Sequence, residues 1–175
     1  MRGCRSRRTF CWGYRYICSM YRQNLIIDKT FVKKFSGLSP DELYSILQAR
    51  NEVFVVEQQC VYQDADGYDR EALHVVLPYE AWIGAYCRIL LPRVKYTEWS
   101  IGRVLTTRAA RGKKLGHLLM ITALDTISKQ GGGGVRISAQ AYLQRFYEQH
   151  GFVRIGDEYL EDNIPHIEML RTDQP

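Results

Sequence analysis

Six residues between an extended stretch and an apolar helical stretch constrain the fold more than any other part of the chain. Residues 101–107 favour a strand, residues 115–127 favour a helix, and the sequence RGKKLG connects them. A strand that turns through glycine into a helix directs several unpaired backbone N–H groups at one point, where the helix dipole adds partial positive charge. The arginine and the two lysines strengthen the preference for an anion. The turn therefore predicts a pyrophosphate site.

Two other phosphate-binding loops fit this turn poorly. A Walker loop ends in Gly-Lys-Ser/Thr, whereas Lys114 is followed by Leu115. A dinucleotide fingerprint has three spaced glycines after a first strand, and this turn has two glycines and lies late in the chain. Residues 131–134 are four glycines with no helix start behind them, which indicates a flexible connector. A basic, solvated helix start remains an equally open interpretation from spacing alone.

Several separated stretches carry motifs in a fixed order. Residues 111–116 (RGKKLG) follow the pattern Arg/Gln-x-x-Gly-x-Gly/Ala except at Lys114. Residues 140–152 (QAYLQRFYEQHGF) combine an amide, a tyrosine seven positions later and Gly-Phe. Three more stretches are residues 50–66 (RNEVFVVEQQCVYQDAD), 101–104 (IGRV) and 161–169 (EDNIPHIEM). The first two motifs resemble those of the GNAT N-acetyltransferases, and the other three are similar to the ElaA-like branch of that superfamily.

Two positions depart from the family pattern. Lys114 occupies the middle glycine of the loop, and we expect a negative φ there because a positive φ disfavours residues other than glycine. Gln140 stands where many family members have asparagine, which keeps the amide but lengthens the side chain.

The resemblance implies an α/β (α+β) fold with a mixed, mostly antiparallel sheet of about six to seven strands. A central parallel pair would splay apart at the acetyl-CoA cleft, with helices on both faces. Periodicity and turn residues predict strands at residues 31–35, 74–77, 81–91, 99–107 and 135–139, and helices from residue 40, over 113–129 and over 140–150. Residues 152–155 and 167–171 are interpreted as a hairpin interrupted by a long polar loop.

By the same resemblance, the protein is an acetyl-CoA-dependent N-acetyltransferase. It would transfer the acetyl group to a primary amine of a small molecule or peptide by direct attack in a ternary complex. The backbone of Val104, Leu105 and Thr106 would bind the pantetheine, and the N–H of Leu105 would stabilise the oxyanion. The implied cofactor-binding residues are Val104, Leu105, Thr106, Arg111, Gly112, Lys113, Lys114, Leu115, Gly116, Gln140 and Tyr147.

Tyr147 matches the general-acid tyrosine of the superfamily, four residues before Gly151. It would protonate the departing CoA thiolate. The alternative is an aromatic residue that only packs in the core, because Leu143 and Tyr147 are neighbours on a helix. Gln140 would bind a pantetheine amide or cap the helix that follows it.

The general base is left open among Glu57, His74 and His166. A single histidine is more often a structural group, and we expect that role for His74 on its predicted strand. His166 follows Pro165 near the hairpin and reaches a cleft more easily. Glu57 ends the first helix, where it is also the candidate partner of Arg50, an arginine on the apolar helix face that needs a buried carboxylate.

The acidic stretch of residues 58–72 is interpreted as a loop. It holds Asp64, Asp66, Asp69 and Glu71 around a glycine. A solvated acidic turn is slightly favoured, and the alternative is a wall of the acceptor site that attracts a cationic amine.

The positive charge of the chain is concentrated before residue 20. The net charge is +5, and five arginines within residues 1–19 account for the whole excess, so residues 20–175 are neutral. We interpret residues 1–19 as a disordered or artefactual extension, with an organelle transit peptide as the alternative, and residues 20–175 as a single GNAT acetyltransferase domain. A neutral domain argues against a nucleic-acid partner.

The cysteines and the apolar runs indicate in which cellular compartment the protein is expected. Five cysteines, an odd number without a metal-type pairing or nearby histidines, argue against zinc and fit reduced thiols in the cytoplasm. Cys87 lies in an apolar strand that would raise its pKa, which argues against a covalent cysteine route. No apolar run approaches the roughly 20 residues that span a bilayer, so no membrane partner is expected. The expected partner is an amine-bearing small molecule or peptide, and a homodimer is left open.

Two hypotheses from other classes compete with the enzyme. A non-catalytic acyl-CoA-binding or regulatory module would keep the cleft, but the presence of Tyr147 favours catalysis. A nucleic-acid binder would use residues 1–19 with Lys113 and Lys114, and the neutral charge of the remaining chain argues against it.

Overall fold

Seven strands form one sheet in the computed structural model, which describes residues 30–80 and 82–172. The strands are β1 (Phe31–Lys34), β2 (Ala72–Tyr79), β3 (Trp82–Leu90), β4 (Trp99–Thr106), β5 (Val135–Gln140), β6 (Val153–Glu161) and β7 (Ile164–Arg171). Their order is β1-β2-β3-β4-β5-β7-β6, with β4 and β5 parallel and the other neighbours antiparallel. The predicted mixed sheet is confirmed, whereas the predicted extension at residues 1–19 lies outside the described residues.

Helix α1 (Pro40–Arg50) covers one face of the sheet. It begins at a capping box, in which Ser39 Oγ accepts from the N–H of Glu42 and the carboxylate of Glu42 accepts from the N–H of Ser39. The helix continues through Asn51–Glu57 with the wider turns of a π-helix. Ile46 and Val53 are buried against Val76 of β2 and against neighbours on β3 and β4. This extension carries the end of the helix to the middle of the sheet.

Helix α2 (Leu115–Lys129) covers the opposite face. Its buried stripe consists of Leu115, Leu119, Met120, Ala123 and Ile127. This stripe packs against Val75 and Leu77, whereas Val76 between them packs on the α1 side, as the alternation of side chains along a strand requires. Helices therefore lie on both faces, as predicted.

The sheet opens at its centre. The parallel pairing of β4 with β5 is limited to Trp99 with Val135 and Ser100 with Arg136. Beyond these rungs the two strands separate, and β5 leads through a short turn into helix α3 (Gln144–Glu148). The edge of β4 that faces β5 is thus without a strand partner over most of its length.

The predicted long polar loop in the last hairpin is wrong. Strands β6 and β7 continue to a two-residue turn at Asp162 and Asn163, which have φ angles of +50° and +62°. Two successive positive φ angles are typical of a type I′ hairpin turn. The sequence pattern is misleading because β6 is an exposed edge strand, where polar residues replace the usual alternation.

Within residues 30–80 and 82–172, no helix is both long and apolar enough to cross a membrane.

Candidate functional site

A cleft of about 620 Å³ passes through the sheet where β4 and β5 separate. Its lining combines residues from both faces, namely Glu57, Val104, Leu105, Thr106, Arg111, Gly116, Ser138, Gln140, Tyr147, Glu161 and His166 among others. Most of the site residues predicted from the sequence therefore lie around one cavity. Gly112, Lys113 and Lys114 lie in the exposed turn beside it, and the side chain of Leu115 is buried in the core, so only its backbone faces the turn.

The turn before α2 has the donors that an anion requires. The N–H groups of Leu115, Gly116 and His117 donate to no acceptor in the described part of the chain, and no side chain caps this helix. Gly112 has a φ of +74°, a left-handed conformation that glycine adopts without steric cost because it has no side chain. A Cβ added to Gly116 would meet Phe146 and Thr106 only at ordinary contact distances of 3.6 Å, so internal packing does not demand this glycine. The turn fits a phosphate group.

The expected negative φ at Lys114 is wrong. Lys114 has φ +61° and ψ 16°, which is the left-handed region. A residue with a Cβ in this region costs about 1 kcal/mol relative to glycine. The turn therefore has a left-handed backbone at this position and carries a strained lysine in it.

Replacing Lys114 with glycine is expected to raise the free energy of unfolding by about 1 kcal/mol, because the left-handed strain is removed. The same change at Lys113 is the matched control. Lys113 is an exposed lysine of the same turn without a positive φ, so glycine there is expected to lower stability by about 0.5–1 kcal/mol. Urea unfolding of both variants measures the difference, and equal effects would contradict a strained Lys114.

Arg50 has two carboxylate partners, the buried Asp69 and the half-buried Asp64, and neither is the predicted Glu57. Its Nε donates to Asp64 Oδ2 at 2.9 Å, and its Nη1 donates to Asp69 Oδ1 at 2.7 Å. Arg50 is completely buried. The need for a carboxylate partner is predictable, but the partners come from the loop that follows the helix, whereas Glu57 lines the cleft and pairs with Arg111.

The acidic loop forms a neutral network with three arginines. Besides Arg50, Arg88 contacts both Asp66 and Asp69, and Arg103 contacts Asp64 and Asp66 at 2.7–3.1 Å. Burial would raise the pKa of Asp69, but Arg50 and Arg88 more than offset this and hold its pKa below the usual value. These carboxylates are therefore fully paired, and they supply neither a solvated turn nor a free wall for a cationic amine.

Arg103 also marks a bulge in β4. The register with β3 shifts between Tyr86 and Arg88, and Arg103, the extra residue, has a φ of +53°. Its guanidinium is held by Asp64 and Asp66, which anchors this strained backbone. The bulge lies directly before Val104 and Leu105, so the network fixes the strand segment that faces the cleft.

Two polar pairs bridge the cleft wall. Arg111 Nη2 donates to Glu57 Oε2, and Arg111 Nε donates to the carbonyl oxygen of Thr106. Gln140 Nε2 donates to Gln58 Oε1 at 3.1 Å, and its side chain does not cap the turn that follows β5. The end of the α1 extension is thereby connected to the anion turn and to β5.

Tyr147 belongs to the core and to the cleft at once. The residue is 5% exposed, and its ring packs edge-on against Phe146 and Phe152. Its hydroxyl makes no hydrogen bond with the residues described, yet it is accessible from the cleft. Burial, followed by the proximity of Cys87, raises the pKa of Tyr147, so the phenol stays protonated at neutral pH.

The two candidate histidines differ in their surroundings. His74 is completely buried, with Nε2 donating to the carbonyl of Asp69 and Nδ1 accepting from the hydroxyl of Tyr86. Both ring nitrogens are used, and burial lowers its pKa, as expected of a structural histidine. His166 lines the cleft, and its Nδ1 lies 2.8 Å from the carbonyl oxygen of Ile164. A carbonyl only accepts, so Nδ1 donates this hydrogen bond, and in the neutral form of the ring the lone pair is on Nε2.

Cys60 and Cys87 are free and buried. Burial raises the pKa of each thiol. Cys87 is fully enclosed, which agrees with the expectation that it is no nucleophile.

The chain matches an acyltransferase family over most of its length. The family model described as the acetyltransferase (GNAT) domain matches residues 37–172. The chain belongs to this family.

Relatives and solved structures agree with this assignment. Protein ElaA of Escherichia coli is 42% identical over 139 residues, which is 78% of this chain and 91% of ElaA. The crystal structure of an acyl-CoA N-acyltransferase from Pseudomonas aeruginosa has a TM-score of 0.78 at 43% identity, covering 82% of this chain and 99% of that one. The crystal structure of E. coli ElaA has a TM-score of 0.76 at 40% identity, covering 82% and 98%. The fold, the family and acyl transfer as the reaction class are thereby shown.

Proposed function

We propose that the protein is an acetyl-CoA-dependent N-acetyltransferase that acetylates a primary amine of a small molecule or peptide by direct attack in a ternary complex. The observation that carries this proposal is the Tyr147 hydroxyl, which is buried, without a hydrogen-bond partner among the described residues, and in the cleft that begins at the anion turn. A module that only binds CoA does not require a proton donor at that place, whereas an enzyme that releases a thiolate does.

The cofactor would lie along the open edge of β4. The backbone N–H groups of Leu115 and Gly116, with Arg111, Gly112, Lys113 and Lys114 around them, would hold the pyrophosphate. The pantetheine would pair with Val104 and Thr106 as an additional strand does. The N–H of Leu105 would then donate to the thioester oxygen, and Gln140 would face the pantetheine amide from β5. Acetyl-CoA supplies the activated acetyl group.

The transfer needs two proton movements. The neutral amine attacks the thioester carbonyl carbon, the C–N bond forms, and the C–S bond breaks. The departing thiolate takes the proton of the Tyr147 hydroxyl, and the proton of the amine passes to a base. A protonated amine of the lysine type, with a pKa of about 10.4, has no lone pair until that proton leaves.

We assign the base to His166 rather than to Glu57. His166 lines the cleft and keeps a lone pair on Nε2, whereas the carboxylate of Glu57 is engaged by Arg111. Glu57 is better placed to orient Arg111 toward the anion turn. We also infer a cytoplasmic site of action, which rests on the free thiols Cys60 and Cys87.

The test is release of CoA from acetyl-CoA with a panel of primary amines and lysine-containing peptides, followed by a thiol reagent. Acceleration above the rate without amine is expected for at least one compound. Butyryl-CoA run in parallel tests the preference for the acetyl group. Tight CoA binding with no release across the panel would favour the non-catalytic binding module.

Replacing Gly112 with aspartate is expected to weaken CoA binding at least tenfold, or about 1.4 kcal/mol, because a carboxylate would stand against the pyrophosphate. The matched control is Gly156→Asp. Gly156 has a similar φ of +70°, against +74° for Gly112, and a Cβ at either position meets nothing within 4 Å. Calorimetric titration of both variants separates electrostatic repulsion from backbone strain. Equal CoA affinity in the two variants would place the pyrophosphate elsewhere.

A further inference from the structure

The acceptor end of the cleft contains a carboxylate that has no cationic partner among residues 30–80 and 82–172. Glu161, the last residue of β6, lines the cleft, and so does its neighbour Asp162. The aspartates of the acidic loop are all paired with arginines, as described above. Neither Glu161 nor Asp162 makes an ion pair with the described residues, so both offer negative charge to an incoming group. Of the two, Glu161 has its carboxylate hydrogen-bonded to Ser138, on the face of the sheet opposite to α2.

Glu161 is held in place by two hydroxyl groups. Ser138 Oγ donates to Glu161 Oε2 at 2.8 Å, and the hydroxyl of Tyr159 lies 2.6 Å from Ser138 Oγ. Because the serine proton is used on Glu161, the tyrosine donates to the serine. Glu161 Oε1 accepts no hydrogen bond from the described residues. One oxygen is thus fixed by β5 and β6, and the other is available.

The proposed base lies in the same wall. The ring of His166 packs against that of Tyr159, with 6.1 Å between their centroids. His166 also faces Tyr159 across the β6–β7 pairing. Tyr147, buried and unpaired in the same cleft, marks the point where the bond to sulfur breaks. A carboxylate, an imidazole and a phenol thus surround one cavity.

We propose that Glu161 recognises the acceptor amine as an ammonium ion, and that Ser138 and Tyr159 act as positioning residues for its carboxylate. This inference rests on the proposed acetyl transfer. It names the acceptor class as alkylamines that arrive protonated, and it gives Glu161 the role of binding the cation before His166 removes the proton. Charged hydrogen bonds of this kind are roughly twice as strong as neutral ones.

One cation on the cleft lining could compete for Glu161. Lys95 is exposed and lies over the ring of Tyr96, 5.2 Å from its centroid. It makes no ion pair with the described residues. A Lys95→Gln variant is therefore expected to bind a cationic amine as well as the wild type or better.

The test is a binding measurement that requires no turnover. Protein saturated with CoA is titrated with n-butylamine, which is an ammonium ion at neutral pH, and with butan-1-ol, its neutral counterpart, by NMR up to about 0.1 M. Glu161→Gln is expected to weaken butylammonium binding about tenfold or more, with butanol and CoA affinities within about twofold of the wild type. The control Glu158→Gln makes the same change on the exposed part of β6 outside the cleft and is expected to have no effect.

The kinetic arm distinguishes the two proposals. With acetyl-CoA and n-butylamine, Glu161→Gln is expected to raise KM about tenfold while kcat stays within about threefold, because the variant keeps Tyr147 and His166. Charge-dependent binding of butylammonium, without acetyl transfer to any amine of the panel, would support the cation site and refute the proposed function. Acetyl transfer with an unchanged KM in Glu161→Gln would refute the cation site alone. So would the absence of saturable butylammonium binding to the wild type.

Discussion

Replacing Arg50 with methionine is expected to lower the free energy of unfolding by about 3–5 kcal/mol. Arg50 is completely buried between Asp64 and Asp69, and methionine replaces the aliphatic part of the side chain but removes the guanidinium and both charged contacts. The two aspartates would then rely on Arg88 and Arg103 alone, which leaves buried negative charge incompletely paired. Urea unfolding at pH 7, followed by fluorescence, measures the loss.

The control is Lys33→Met, which removes an ion pair at the surface. Lys33 contacts Glu42 at 2.7 Å, but both side chains are partly exposed, so the expected loss is below about 1 kcal/mol. A loss at Arg50 no larger than at Lys33 would show that the network adds little to stability.

The pH dependence of the Arg50→Met deficit identifies its cause. The arginines hold the pKa values of Asp66 and Asp69 below those of an unfolded chain, although burial acts in the opposite direction. A lowered pKa stabilises the fold above the unfolded value of about 3.9, and this contribution is lost as the pH falls through the folded value. The difference between wild type and variant is therefore expected to narrow below about pH 4. A constant difference would assign the loss to packing.

Replacing Tyr147 with phenylalanine is expected to reduce kcat about 10²-fold while CoA affinity stays within about threefold. The ring and its contacts with Phe146 and Phe152 remain, and only the hydroxyl is lost. Thermal unfolding should change little, because that hydroxyl makes no hydrogen bond with the described residues. The measurement is kcat with the best amine of the panel, together with a CoA titration.

Tyr142→Phe is the matched control for Tyr147. Tyr142 lines the same cleft but is 74% exposed, so its loss of a hydroxyl is expected to leave kcat unchanged. Equal kcat values for the wild type and Tyr147→Phe would return Tyr147 to a purely structural role. A collapse of CoA binding would instead make its hydroxyl a cofactor contact.

The parts of the fold that the sequence predicts are those determined by residues close together in the chain. The capping box at Ser39, the apolar stripe of α2 and the glycine turn at Gly112 each depend on residues within about one or two helical turns. The structural role of His74 is also predicted by the sequence, because a histidine on an apolar strand is expected to have its hydrogen bonds satisfied within the core. These local rules, with the motif order, were enough to give the sheet and the cleft.

The network around Arg50 joins residues that are far apart in the sequence, and local sequence rules do not predict such contacts. Its partners Asp64 and Asp69 lie 14 and 19 residues away, in a loop whose path is fixed only when Arg88 and Arg103 from two strands also contact it. The predicted partner Glu57, an acid of the same helical segment, is wrong, because it pairs with Arg111 instead. Glu161 was missed for a similar reason, because its strand was read as loop.

The left-handed backbone at Lys114 was mispredicted from a sound rule. A lysine is expected to avoid positive φ, but the turn into α2 requires that geometry, and the packed helix and strand impose it on the residue present. Side-chain identity predicts backbone conformation only where the surrounding structure permits a choice.

The place of β7 inside the sheet affects how the protein is made. Strand β7 lies between β5 and β6, and its residues Ile167 and Met169 are completely buried. The strands from β1 to β5 are added along the sheet in the order in which they leave the ribosome, but β6 has no partner until β7 has also emerged. A ribosome that stalls, or a nonsense codon, anywhere before residue 164 would leave the edge of β5 without a partner and the side of the cleft formed by β7 absent. Such fragments would be substrates for chaperones and proteases rather than partial enzymes.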